Sequence, residues 1–360
     1  MDLGKVANAV SEKPYNYTIS IIRFIALLLI ITCHMMQHES CFLAWWFNVG
    51  VQIFLCISGY LYGQKKISDI PKFYADRFKK ILIPYYLVFL TAGIAEFIFA
   101  RECFNVFRFC GGLVCRTTII GGEHLWFVST ILFCYILTPL LYFYKVKYVK
   151  TYRSFWIGTF AACCAVTVYC GLYDRFFNPA WICCFVLGYA LGVNEEQKYA
   201  EKSHSEQSEY IYITAFLAVL GNALQIYLSN HYVFTGIKEK AFTYFSNYNH
   251  VWLGIFLFLL MKKIFEKVDY INHPGLIKCL KITDKYSYET YLVHQFLILG
   301  PFSLMAITPF LFINCSIIII GIIILAWLLK TSEKPIFGWL GRFIPSSPST
   351  ENVSDTSKTF

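Results

Sequence analysis

Ten stretches of this chain are apolar for long enough to cross a bilayer, and any fold it adopts has to accommodate them. A hydrocarbon core of about 30 Å takes roughly 17–25 residues of helix. Runs of about that length lie near 19–36, 43–63, 81–100, 125–144, 154–172, 179–194, 210–228, 247–261, 286–303 and 305–329, the sixth and eighth being the shortest. Strands of a membrane barrel alternate in polarity over about 10 residues, whereas these runs are continuous. The fold expected is therefore all-α and integral to the membrane, with about ten transmembrane helices. Of the 360 residues, 57% are apolar and only 15% charged, against about a quarter charged in soluble domains. Charge this sparse cannot clothe a water-facing surface, so membrane lipid is the expected neighbour.

Lysine and arginine are unevenly placed between the runs. Numbering the connecting segments alternately from a cytoplasmic N-terminus puts 24 of them on the cytoplasmic side and 6 on the other, with Arg23 left inside the first run. Short cytoplasmic loops are enriched in these residues, so both termini are expected in the cytoplasm. The net charge of +9 then reads as membrane-orienting bias, and no nucleic-acid partner is expected.

Residues 1–18 read as a polar N-terminal arm, 19–330 as the transmembrane domain and 331–360 as a cytoplasmic tail. The tail is Pro-, Ser- and Thr-rich from about 335 and is expected to be disordered. The first run carries Arg23 and His34 with no small-residue cleavage site after it, so it is read as a retained helix. The 14 cysteines show no zinc or redox spacing, and no metal is expected. Cys163-Cys164 and Cys183-Cys184 fall inside apolar runs, where cysteine is a small apolar filler. The segment from about 101 to 124 mixes Phe and Cys with paired glycines and suits a re-entrant or an exposed loop equally.

Arg23 and His34 are the feature of the first run that carries chemistry. An ionisable group within a span costs roughly 2.5–3.5 kcal/mol on insertion scales and needs a partner or a purpose. Eleven residues at ~100° each return a helix to within about 20° of its starting direction. The two side chains thus share one face, about 16 Å apart along the axis. Either Arg23 reaches back to the interface and His34 is merely interfacial, or the pair marks a polar stripe for a transmembrane reaction or transport path.

Five elements stand in order along the chain: Arg23 with His34, Phe54 to Leu61, Phe73 to Pro84, His124 to Phe127, and Ser287 to His294. Together they resemble the acyltransferase 3 family of bacterial membrane O-acyltransferases. Arg23-Phe-Ile-Ala-Leu…His34 resembles its first-helix Arg-x10-His signature, and Phe54-Leu-Cys-Ile-Ser58-Gly59-Tyr-Leu its Phe-Phe-x-x-Ser-Gly-Phe-Leu helix. Phe73-Tyr-Ala-Asp-Arg77-Phe-Lys-Lys80-Ile-Leu-Ile-Pro84 is similar to its basic Arg-x-x-Arg stretch before a proline. His124-Leu-Trp126-Phe matches a His-Leu-Trp-Phe element of one branch, and Ser287-Tyr-Glu-Thr-Tyr291-Leu-Val-His294 resembles its Ser-Tyr-x-x-Tyr-Leu-x-His. The resemblance covers about residues 17–330. Lys80 stands where the family has a second arginine, keeping the charge but not the bidentate geometry toward phosphate. With no hydrolase-like domain after the last helix, the chain resembles the stand-alone form.

The resemblance implies transfer of an acyl group, most often acetyl, from cytoplasmic acyl-coenzyme A to a hydroxyl of a cell-surface polysaccharide or its lipid-linked precursor. The location implied is the bacterial cytoplasmic membrane. Acetyl-CoA is then the donor substrate and a surface glycan the acceptor. His34 is the implied catalytic residue, as general base or as the carrier of an acyl-histidine. Arg23, Arg77 and Lys80 are the implied donor-binding residues, although for the latter two plain positive-inside charge is the alternative. Glu123, His124 and Trp126 suit the acceptor side or simple interfacial polarity. Ser58 fits close helix packing beside Gly59 better than catalysis, and His294 either supports the donor or bonds a neighbouring helix. A transporter or flippase for a glycan or metabolite is the rival reading, and a non-catalytic subunit of a polysaccharide synthase the third. Cysteine-accessibility labelling should find residues 64–80 and the C-terminal tail in the cytoplasm and 101–122 outside; tail labelling from the outer face would reverse the orientation.

Overall fold

The computed structural model describes residues 15–148, 152–172, 177–201 and 207–343. Among them every regular element is helical: α1 Tyr17–His38, α2 Ala44–Phe47, α3 Val49–Gly63, α4 Ile70–Phe99, α5 Val106–Leu113 and α6 Trp126–Tyr148. There follow α7 Tyr152–Leu172, α8 Pro179–Glu201, α9 Gln207–His231, α10 Ile237–Phe265, α11 Pro274–Val293 and α12 Leu311–Phe343. The chain divides into two compact units. The first comprises Met1–Cys33, Leu43–Lys65 and Val149–Ser287, and the second His34–Phe42, Lys66–Tyr148 and Tyr288–Phe360.

Among the described residues 7 helices are long and apolar enough to cross a bilayer. They account for seven of the ten runs. The other three are not among these seven. In α7 the apolar stretch is Phe155–Gly171. In α8 the apolar part ends at Val193 and gives way to Asn194, Glu195 and Glu196. Its apolar half is buried almost all round, as in a core helix. The run at 286–303 is not one helix: α11 stops at Val293, and Gly300 (φ 85°) followed by Pro301 turns the chain. What helix there is begins earlier, through the Lys-rich 274–285 stretch.

Other boundaries also move. α4 starts at Ile70 rather than 81, because the Asp69 carboxylate caps it by accepting from the Lys72 N–H (2.9 Å) and Pro71 occupies its first turn. The basic stretch holding Arg77 and Lys80 is thereby helical. The short run at 247–261 lies inside the 29-residue α10. α12 continues to Phe343, past the expected start of the tail at 331, and accommodates Pro335. The disorder expected beyond residue 343, and most of the N-terminal arm, lie outside the described residues.

The first unit is built around backbone contact between α3 and α8. A Cβ on Gly59 would stand 2.0 Å from the Phe185 carbonyl oxygen, and one on Gly192 would stand 2.1 Å from that of Tyr60. Gly63 and Gly188 complete two small-x-x-x-small pairs, Gly59/Gly63 and Gly188/Gly192, the pattern that lets membrane helices approach closely. Ser58-Gly59 is therefore a packing element here. Farther along the same unit Lys262, buried, is paired with Glu195 (3.2 Å) and Glu266 (2.7 Å).

In the second unit Lys330 of α12 binds Glu289 of α11 at 2.6 Å and Glu333 at 3.3 Å. Both carboxylates are buried. α12 also turns Ile320, Ile323 and Trp327 outward, each more than half exposed. A face this apolar is untenable in water and natural against lipid. Gly59→Val should lower the melting temperature in detergent, at a cost of roughly 1–3 kcal/mol or more because the clash is with backbone. Ser58→Ala should stay within about 0.5 kcal/mol; a neutral Gly59→Val would show that α3 and α8 are not in backbone contact.

Candidate active site

Three histidines from distant parts of the sequence converge in the second unit. His34 lies one turn before the C-terminal end of α1, His124 in the short 3-10 turn Glu123–Leu125 that leads into α6, and His294 immediately after α11. The ring centroids of His34 and His294 are 5.1 Å apart, those of His124 and His294 4.9 Å, and those of His34 and His124 6.4 Å. His294 is fully buried and His124 is 3% exposed, while His34 is half-buried.

Local hydrogen bonds fix two of the rings. His124 donates from Nε2 to the Leu292 carbonyl (3.0 Å), and the Tyr291 hydroxyl donates back to the His124 carbonyl (2.6 Å). His294 donates from Nδ1 to the carbonyl of Tyr291 (2.6 Å). A carbonyl can only accept, so the hydrogen of each ring is assigned to the nitrogen facing it. The opposite nitrogens, His124 Nδ1 and His294 Nε2, are buried lone pairs with no donor. His34 uses Nδ1 toward the Gln37 side-chain oxygen (2.7 Å), which leaves Nε2 as its acceptor.

The turns bearing His124 and His294 are held together by backbone. Gly121 (φ 78°) and Gly300 (φ 85°) both need the left-handed region, and a Cβ on Gly300 would stand 2.5 Å from the Gly121 Cα. Glu123 accepts from the Gly121 N–H (3.2 Å) and from the Gln295 amide (2.9 Å). Trp126 is half-buried at the head of α6, its carbonyl accepting from the Ser129 hydroxyl (2.7 Å).

Arg23, in the first unit, is bound to Asp284 of α11, with Nη1 2.5 Å from Oδ1. The other carboxylate oxygen accepts from Ser20 (2.5 Å) and from the Tyr15 hydroxyl. Burial, and then the hydrogen bond to Asp284, push the Tyr15 hydroxyl up to about 12, so it remains a donor at any physiological pH. Arg77 and Lys80 stand on α4 of the second unit, half-buried and exposed respectively. Ser58 lies in α3 of the first unit, half-buried beside Gly59.

The structure thus brings His34, His124 and His294 together and places Glu123 beside Gln295. Sequence reasoning assigned no role to Asp284, Gln37, Gln295 or Tyr291. The signal for Asp284 was a single carboxylate among Lys278, Lys281 and Lys285, one turn before the Ser287–His294 element. Among the described residues no three His, Cys, Asp or Glu side chains are arranged to hold a metal ion.

A chain with seven bilayer-length apolar helices among its described residues, all of whose described regular elements are helical, is a multi-pass membrane protein. Residues 16–331 match the family model described as an acyltransferase domain, and the chain belongs to the acyltransferase 3 family: it is a membrane acyltransferase. No curated protein and no solved structure matches it. Tyr291→Phe should leave the buried His124 carbonyl short of a donor and cost about 1–3 kcal/mol, read as a lower melting temperature; an unchanged melt would show that this hydroxyl does not hold the turn.

Proposed function

We propose that this acyltransferase moves an acyl group, acetyl by preference, from cytoplasmic acyl-coenzyme A to a hydroxyl of a cell-surface polysaccharide or its lipid-linked precursor in the bacterial cytoplasmic membrane. The observation that carries the reading is the His34 ring: half-buried, held through Nδ1 by Gln37, and presenting Nε2 as a free base. In the proposed step Nε2 takes the hydroxyl proton as the sugar oxygen attacks the thioester carbon. The carbon–sulfur bond then breaks and the coenzyme A thiolate leaves, to be protonated in turn.

Arg23, Arg77 and Lys80 are the donor-binding residues of this reading. Asp284 engages only one terminal nitrogen of Arg23, and a guanidinium carries five N–H donors. Arg23 can therefore keep its carboxylate and still face a phosphate. Lys80, exposed on α4, supplies a point charge without a fixed fork. Glu123, His124 and Trp126 are assigned to the acceptor side, which is the side opposite the cytoplasm in the orientation expected from the charge asymmetry.

His34→Ala should insert, fold and bind acetyl-CoA as the parent does, yet transfer acetyl to the glycan ~10²–10⁴-fold more slowly. His34→Gln should not rescue it, since an amide accepts a hydrogen bond but not the proton. Arg23→Ala and Arg77→Ala should instead weaken acetyl-CoA binding about tenfold or more, the loss of one charge-assisted contact of roughly 1.5–3 kcal/mol. A near-parental transfer rate in His34→Ala removes the ring from the chemistry, and unchanged coenzyme A affinity in both arginine variants removes them from the donor site.

A further inference from the structure

We infer that His294, backed by His124, is the proton partner of His34: its bare nitrogen accepts the N–H that His34 gains when it deprotonates the acceptor hydroxyl. The inference rests on the reading of His34 as general base and extends it to two rings that have no part in the proposed step.

The cluster is short of a hydrogen. In the neutral state each ring spends its one N–H on a fixed oxygen: Tyr291 O for His294, Leu292 O for His124 and Gln37 Oε1 for His34. What remains is three lone pairs and no proton among them. Two of the three are sealed from solvent. A buried acceptor without a donor costs about 1–3 kcal/mol, and here two such deficits stand side by side. A proton arriving on His34 Nε2 supplies the missing donor.

The ring spacing suits the sharing of that proton once the nitrogens turn toward each other; in the neutral state His294 Nε2 and His124 Nδ1 have no hydrogen-bond partner. Two imidazoles joined by an N–H···N bond of ~2.9 Å, with each nitrogen about 1.1 Å from its ring centre, have centroids about 5 Å apart. The His34–His294 and His124–His294 separations are 5.1 and 4.9 Å. Other titratable groups nearby are engaged elsewhere. Glu123 holds the Gly121 N–H and Gln295, Tyr291 donates to the His124 carbonyl, and His38 on α1 pairs with Glu39 (2.9 Å).

The hydroxyl proton passes to His34 Nε2 while the new carbon–oxygen bond forms and the carbon–sulfur bond breaks. The sugar oxygen, now part of an ester, is a poor acceptor, and the Nε2–H turns to His294 Nε2, whose ring centre is 5.1 Å away, with His124 next in line at 4.9 Å from His294. The proton returns through His34 to the thiolate or to water, and the three rings are neutral again. His294 and His124 act here as positioning residues for the proton and touch no reacting carbon.

The test uses two substitutions that keep the anchoring hydrogen bond and delete the lone pair. His294→Asn retains a donor at the Nδ1 position, and His124→Gln one at the Nε2 position. The full-length enzyme is reconstituted with radiolabelled acetyl-CoA and membranes of a strain lacking its gene as the acceptor source. Transfer is followed across mixtures of light and heavy water. The parent should give a curved proton inventory, reporting more than one proton in motion. Each variant should lose kcat by roughly 10–100-fold, keep KM for acetyl-CoA within about twofold, and give a linear inventory. Should His294→Asn fail to fold, His124→Gln reads the same property. Parental kcat in a folded variant, or a lost kcat with curvature intact, overturns the inference and reduces the rings to packing. His34→Ala at the parental rate would instead overturn the base assignment itself, so the two failures are distinguishable.

Discussion

The arrangement of the second unit depends on a reciprocal pair of hydrogen bonds. His124 donates to the Leu292 carbonyl and Tyr291 donates to the carbonyl of His124, across 167 or 168 residues of sequence. Neither bond would be unusual alone. Together they clamp a ring at the head of α6 to the last turn of α11, where no water competes for the donors. In that setting a donor or acceptor left without its partner costs more than a made bond contributes. The clamp also fixes both tautomers, because Tyr291 and Leu292 offer carbonyls to the two rings on either side. The Gly121–Gly300 contact then closes the turns over it.

The first unit is organised by a different force. Between membrane helices there is little hydrophobic gain, since lipid is as apolar as leucine, and dispersion at close range dominates. The two glycine pairs of α3 and α8 bring backbone against backbone and leave α8 buried almost throughout. That burial suits a helix whose apolar part stops at Val193 and whose end is too polar to lie in lipid. It is sheathed by its neighbours.

Most of the helical architecture was legible in the sequence, because bilayer thickness imposes a length that composition reveals. The limits of that legibility are physical. Caps and breakers, not hydropathy, set the real ends: Asp69 and Pro71 start α4 eleven residues early, and Gly300-Pro301 cuts a continuous apolar run. At the site, His34 stood out as an ionisable residue inside a span, but its neighbours did not. His124 and His294 were visible as motif residues. Their convergence was not, since it arises from turns whose geometry hangs on two left-handed glycines. Asp284 went unnoticed because a carboxylate among lysines in a connecting segment looks solvated, whereas it closes an ion pair within the first unit.

The Arg23–Asp284 ion pair joins residues 261 apart, and this separation bears on biosynthesis. At ~5–20 residues per second, the ribosome takes about 13–50 s to reach the carboxylate after it has made the guanidinium. For that interval the first helix must sit in the translocation machinery or the nascent bilayer with its cation unneutralised. A position only six residues from the start of α1 lets the side chain wait at the aqueous boundary. An arginine two turns deeper would have to be held back until the eleventh helix emerged. The register of Arg23 thus separates the moment of insertion from the moment of pairing, and lets the first helix commit to the membrane before its partner exists.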